Sequence, residues 1–166
     1  MAFSYRIIED YTNCITSYQG KDAHVEIPDN INASVLYDDL FKGHTEIISV
    51  KIPDSITQIG GFVFDGCVNL KEIKLPPHLS DMWQYALTRC GIETITIPGS
   101  VRTVIPYTFN QCKALKTVTF CEGTVKICAR AFKECTALKD VYLPKSLTDI
   151  HDLAFEGCSN VTVHHL

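Results

Sequence analysis

The chain of 166 residues has no run of about 18 apolar residues, so no segment of it is expected to cross a membrane as a helix. It also has no surplus of basic charge. Fifteen Lys and Arg stand against 19 Asp and Glu, a formal net charge of -4, whereas a protein that holds phosphate backbones gathers Lys and Arg on one face. Nucleic acid is therefore not an expected partner. The chain is also poor in Pro (7) and Gly (9), too poor for a disordered chain, and its 46% apolar and 20% charged residues suit a packed globular or repeat protein. The opening "MAFSYRIIED" lacks the basic start and apolar stretch of a secretory signal. No Cys-x-x-Cys occurs among the eight cysteines, which leaves tetrahedral zinc ligation by loop-spaced thiolates unsupported.

What is present is a period. Cys67, Cys90, Cys112, Cys135 and Cys158 are separated by 23, 22, 23 and 23 residues. Three residues before each stands a large apolar side chain: Phe64, Leu87, Phe109, Phe132 and Phe155. After each comes a run such as "LKEIKLP", "IETITIP", "LKTVTFC" or "LKDVYLP". The unit extends upstream through "IISVKIP", with Phe41 and His44 in the Phe and Cys columns, and "HVEIP" supplies a partial first copy; "CSNVTVHH" is a shortened last one.

In "EIKLP", Ile73 and Leu75 alternate with Glu72 and Lys74, the period-2 pattern of a strand with one buried face. Three residues past each Pro an apolar residue recurs (Ile31, Ile56, Leu79, Val101, Leu147), and six past comes another (Ile59, Met82, Val104, Ile127, Ile150), which predicts a second side wall. A single unit cannot bury its apolar side alone, whereas stacked units share one core. The expectation is a right-handed solenoid of about six coils over residues 24–166, the last truncated, mostly parallel β with short helical or irregular turns. Its sheet should be about 25 to 30 Å long at roughly 4.8 Å per strand. The whole chain, 1–166, is read as one domain. Residues 1–23 are not repeat. Phe3, Tyr5 and Ile7 alternate, "EDYTN" offers a turn and "CITSY" a second strand, so an N-terminal β-hairpin should cap the open end of the stack.

"IGGFVFDGCVNLKEIKLP" resembles the leucine-rich repeat of the BspA type, with units close to Ala-Phe-x-x-Cys-x-x-Leu-x-x-Ile-x-Leu-Pro. The resemblance covers residues 24–166 and departs from the pattern at Leu87, at His44 and in the coil at 86–98, which is one residue short. It implies a leucine-rich-repeat solenoid of a family whose members are often surface or secreted adhesion and interaction proteins of bacteria and some protists, many with no assigned activity. It implies a cell-surface or secreted location if the chain is a fragment of an exported family member, whereas the missing signal would leave a complete chain in the cytoplasm. It carries no catalytic motif and no cofactor.

Stacked in register, the thiols of Cys67, Cys90, Cys112, Cys135 and Cys158 point the same way and read as a ladder of small buried fillers rather than as disulfides or ligands. Cys14, Cys121 and Cys128 lie off that column and are expected to be more exposed. Cys128 and His151 fall on one column, the sharpest arrangement for a thiol nucleophile and its base, but a solenoid edge supplies no cleft. His164 and His165 read as a frayed polar terminus rather than a metal site. The outward positions of the main sheet are His24 with Glu26, Ser49 with Lys51, Glu72 with Lys74, Thr94 with Thr96, Thr117 with Thr119, and Asp140 with Tyr142. Repeat proteins hold partners on such a concave face. The reading is a non-enzymatic module that binds a protein or a glycan. Its rival is a structural spacer that self-associates weakly through the last coil, whose edge strand ends without an evident cap.

Overall fold

The computed structural model describes residues 2–9 and 11–166. The chain enters through the expected hairpin, β1 (Phe3–Ile7) antiparallel to β2 (Asn13–Tyr18); Asp10 of its turn lies outside the described residues. Phe3 and Tyr18 lean on Phe41 at ring distances of 6.3 and 5.3 Å and so cover the first coil. The alternation in β1 does not bury one face, because β1 is an edge strand and leaves Tyr5 and Ile7 exposed.

Alternating residues, ahead of a Pro in five coils and of Cys121 in another, build the first wall from seven parallel strands: β3 (His24–Glu26), β5 (Ser49–Lys51), β7 (Glu72–Ile73), β9 (Thr94–Ile97), β11 (Thr117–Phe120), β13 (Asp140–Leu143) and β15 (Thr162–His165). Val25, Val50, Ile95, Val118 and Val141 point into the core. The residues six past each Pro form the second wall, β4 (Ala33–Leu36), β6 (Gln58–Ile59), β8 (Asp81–Met82), β10 (Thr103–Val104), β12 (Lys126–Ile127) and β14 (Asp149–Ile150). Ile59, Met82, Val104 and Ile127 are buried there, while Ile150, in the last coil, is exposed. Among the described residues helix is confined to one 3-10 turn at Asp29–Ile31. The molecule is a parallel-strand β-solenoid of about seven turns.

The Phe-x-x-Cys segments make a third wall of tight turns. Two columns there adopt left-handed backbone: Asp39, Phe62, Tyr85, Tyr107 and Arg130 in one, and Gly43, Gly66, Arg89, Gln111, Glu134 and Gly157 in the other. Coil bonds to coil along this wall without a break, from the Phe41 N–H to Val63 O (2.8 Å), Phe64 to Ala86 (2.8 Å), Leu87 to Thr108 (3.0 Å), Phe109 to Ala131 (2.9 Å) and Phe132 to Ala154 (3.0 Å). Inside it Phe41 stacks on Phe64 (5.4 Å), and Phe132 lies between Phe109 (4.9 Å) and Phe155 (5.4 Å). Leu87 interrupts that stack.

The one-residue deficit has a location. Cys67 is followed by Val68, Asn69 and then the buried Leu70, but Cys90 by Gly91 and then the buried Ile92. Both parallel ladders stop there: the first wall divides into β3-β5-β7 and β9-β11-β13-β15, and the second into β1-β2-β4-β6-β8 and β10-β12-β14. A shortened corner draws Gly91 against the coil before it, where its N–H bonds Cys67 O at 3.1 Å and a Cβ would sit 2.0 Å from the Val68 carbonyl oxygen. Only glycine fits that approach. The solenoid therefore has a seam, open on two walls and closed on the third.

Candidate functional site

The structure sets the sequence-predicted outward residues in straight rows on the first wall. Before the seam, His24, Ser49 and Glu72 align in one column and Glu26 and Lys51 in the next; Glu26 and Lys51 form an exposed ion pair at 2.5 Å, and His24 Nδ1 meets the Ser49 hydroxyl at 2.8 Å. After the seam, Thr94, Thr117, Asp140 and Thr162 make one column and Thr96, Thr119, Tyr142 and His164 the other. Lys74 lies beside the seam, where it lines a hollow of about 320 Å³ with Thr94 and Thr96. The predicted residues thus form two patches rather than one continuous face: a charged one before the seam, and a Thr-rich one after it that ends in Tyr142.

His164 is not frayed. It is paired in β15 opposite Tyr142, stacks on the Tyr142 ring at 4.5 Å and meets Asp140 Oδ1 through Nε2 at 2.8 Å. Adjacent strand residues do face opposite sides, but the parallel ladder with β13 holds the chain end in place.

The Cys column is buried in four of its five positions, with Cys158 partly exposed in the last coil, and every cysteine is free. Each thiol does more than fill space. Cys67 Sγ donates to Phe41 O (3.0 Å), Cys90 to Phe64 O (3.0 Å), Cys112 to Leu87 O (2.8 Å), Cys135 to Phe109 O (3.1 Å) and Cys158 to Phe132 O (3.1 Å). Alanine would fill the slot and leave a buried carbonyl without that donor. Burial pushes the Cys67 thiol up to about 12 and Cys90 well above its ordinary value, which keeps both protonated and unreactive at neutral pH. Cys14 departs from expectation: it is buried in β2 of the hairpin, and its thiol is raised by desolvation. Cys121 is exposed and Cys128 partly so.

Cys128 and His151 do fall one coil apart on one column, following the paired Ile127 and Ile150. The His151 ring, however, is committed to its own turn, Nδ1 accepting the Leu153 N–H at 3.1 Å. A base whose nitrogen already caps a turn is poorly placed to take a thiol proton. Among the described residues no three His, Cys, Asp or Glu gather as metal ligands, and no helix is long and apolar enough to cross a membrane.

Sequence reasoning missed the outer surface of the second wall where it meets the third. Phe62, Tyr85 and Tyr107 stack ring on ring at 4.9 and 5.1 Å, with the Lys42 ammonium 4.8 Å over Phe62 at one end and Arg130 Nη1 donating to the Tyr107 hydroxyl at 3.3 Å at the other. Beside them Tyr37 and Trp83 are 44% and 56% exposed, in a groove of about 720 Å³. The signal was available: the residue two before each Phe-column position is aromatic in three successive coils.

Three walls of stacked short strands and turns, a Phe core and a thiol-to-carbonyl ladder define a leucine-rich-repeat solenoid. The model of the BspA-type leucine-rich repeat region matches six copies over residues 34–162, and the chain belongs to that family. Among solved structures it is similar to a leucine-rich repeat protein of T. pallidum, at 25% identity and a TM-score of 0.81, over 98% of this chain and 83% of that one. It is also similar to a leucine-rich repeat protein of Bacteroides ovatus (23%, TM-score 0.68, 98% of this chain and 52% of that one). A third likeness is to a leucine rich cell surface protein of Faecalibacterium prausnitzii (24%, TM-score 0.65, 99% and 53%). This chain thus spans about half the length of the latter two. No curated protein matches it.

Proposed function

We propose that this protein is a non-enzymatic interaction module of adhesive type, and that it holds a protein partner on the first wall after the seam. The observation that supports this is the unbroken four-strand ladder there, which fixes Thr96, Thr119, Tyr142 and His164 in one solvent-facing row. Thr119 and Tyr142, on strands paired on both sides, lose little freedom when a partner docks, so their contacts are not spent on ordering the surface. Tyr142 is the aromatic anchor such an interface uses at its centre. Display at a cell surface is part of this proposal, in line with the description of the Faecalibacterium neighbour. A second reading, weak self-association, is favoured by the outer edge of β15, where Val163 and Leu166 are exposed.

Photo-crosslinking residues placed at Thr119 and Tyr142 test the first reading against the same label at Lys126 on the second wall. Labels on the first wall should capture one protein partner, and Tyr142→Ala should reduce the capture about tenfold, as loss of an interface anchor does. Capture from Lys126 alone, or none from any position, overturns the assignment. Capture of a second copy of this chain selects self-association.

A further inference from the structure

We infer that the outer surface of the second wall carries a binding site for one neutral pyranose residue of a glycan, in the slot between Tyr37 and Trp83. This goes beyond the protein-binding reading of the first wall and concerns a different face.

The slot follows from the repeat. The Tyr37 N–H bonds Ile15 O, the Gly60 N–H bonds Leu36 O and the Trp83 N–H bonds Ile59 O, so the three residues occupy one column in successive coils. The two aromatic residues flank a position that has no side chain. That position must remain glycine, since a Cβ at Gly60 would lie 2.5 Å from Asp38 Oδ1 and 2.8 Å from the Asp38 nitrogen. Two coil spacings separate the Tyr37 and Trp83 backbones, about 9.6 Å. With carbon contacts at 3.5 to 4.0 Å on each side, a flat ring sandwiched by two aromatics needs about 7 Å and a puckered pyranose about 9 Å. A backbone spacing of that size leaves room for the sugar. Arg6, from the opposite side of the sheet order, lies 5.2 Å from the Tyr37 ring centroid and steadies that ring. Trp83 also borders the seam hollow formed by Ser80, Ser100 and Arg102, so its indole stands between two openings.

The polar groups agree. Asp38 Oδ1 accepts the Gly61 N–H at 2.7 Å, and its second oxygen has no hydrogen-bond partner among the described residues. The Gln58 and Gln84 amides line the groove and, among the described residues, make no hydrogen bond within the protein. Two free amides and one free carboxylate oxygen around a single slot match a ring of hydroxyls, which both donate and accept. A proline-rich segment, the other ligand that aromatic grooves take, offers carbonyl acceptors and few donors to a carboxylate. Asp38 and the overall charge of -4 favour a neutral sugar over an acidic one.

Trp83 is the only tryptophan, so its fluorescence reports the slot directly. We expect at least one of the methyl pyranosides of glucose, galactose, mannose and N-acetylglucosamine to change that emission saturably, with half-saturation at about millimolar concentration, as a ligand of that size supports. Asp38→Asn should weaken binding about tenfold or more, as loss of a charged acceptor does. On a neutral-glycan array Trp83→Ala should abolish binding, while Tyr142→Ala on the first wall should leave it unchanged, which keeps failure of this site distinct from failure of the protein-binding face. Silence across the panel and the array overturns the inference, and so does a proline-rich peptide that shifts the emission where no sugar does.

Discussion

The junction between β7 and β9 and the junction between β9 and β11 join coils of one repeat, yet they differ on two walls out of three. Across the second junction, four residue pairs from Thr94–Thr117 to Ile97–Phe120 are in register, and β10 pairs β12 beside them. Across the first, neither wall is paired, and hollows of about 320 and 350 Å³ take the place of the ladders. What holds the first junction is the third wall: the Phe64 N–H to Ala86 O, the Gly66 N–H to Thr88 O, the Cys90 thiol to Phe64 O, and Arg89, which grips the Asp65 carboxylate with two bonds of 2.9 and 2.7 Å. Asp65 is 3% exposed at its side chain, so Arg89 neutralises a charge that water scarcely reaches. One missing residue leaves the turns and the core in place, and removes only what depends on strands lying at hydrogen-bonding distance.

The largest expected effect tests the regular side of this contrast. Phe132 is fully buried between two Phe rings and also meets Phe120 edge-on at 6.1 Å. Phe132→Ala should cost about 3 to 5 kcal/mol in urea unfolding, from lost transfer energy plus the cavity. Leu87→Ala, at the seam, should cost about 2 to 3 kcal/mol, because a smaller side chain vacates a column already interrupted. Equal losses would mean that Leu87 is packed as tightly at the seam as the Phe rings are in the stack beyond it.

A second, smaller effect concerns the spine that crosses the seam. The Cys67 thiol is raised to about 12 and Cys90 is raised as well, both by burial. A group whose folded value lies above its unfolded one contributes stability below the unfolded value and loses it as pH rises. Stability should therefore be flat with respect to these thiols up to about pH 8 and then fall from about pH 9 towards 12, by about 1.4 kcal/mol per pH unit for each thiol. Cys67 and Cys90 straddle the seam. If the third wall is continuous there, a thiol reagent at pH 8 should modify Cys121 and Cys128 and leave Cys67 and Cys90 as silent as Cys112. Early modification of Cys90 would show that the spine opens with the ladders.

Much of this architecture was legible in the sequence for a physical reason: a solenoid writes each inward column once per coil, so Phe109, Phe132 and Cys135 announce themselves by recurrence. The outward row Thr96, Thr119, Tyr142 followed from alternation alone. The short coil was visible in the 22-residue spacing, but its consequence was not, because pairing depends on where in the coil the residue is lost, and only the approach of Gly91 to Val68 shows that the corner shortened. The Tyr37–Trp83 slot was illegible for the opposite reason. It is made by residues that differ from coil to coil, and by a glycine between them, so no column repeats. The alternation of Tyr5 and Ile7 misled because an edge strand can alternate with neither face covered.

The sharpest way to break the comparison is to repair the seam. Inserting one Asn between Gly91 and Ile92 restores the Cys-x-x-Leu spacing and the 23-residue period. In the native chain, amides of Thr94, Thr96, Thr103 and Ile105, whose counterparts in other coils donate to the preceding coil, have no partner strand on the side of β7 and β8, and they should exchange with solvent through smaller openings than those of Val118 and Val141, which lie inside a ladder. After insertion the corner lengthens, β9 can move into register with β7, and exchange at Thr94 and Thr96 should slow about tenfold, an added protection of about 1.4 kcal/mol. If the seam amides are already as protected as Val118, the two junctions are equivalent in solution. If insertion leaves their exchange unchanged while that of Val118 is preserved, the missing residue is not what holds the ladders apart, and the cause must lie instead in Leu87 and the break it makes in the Phe stack.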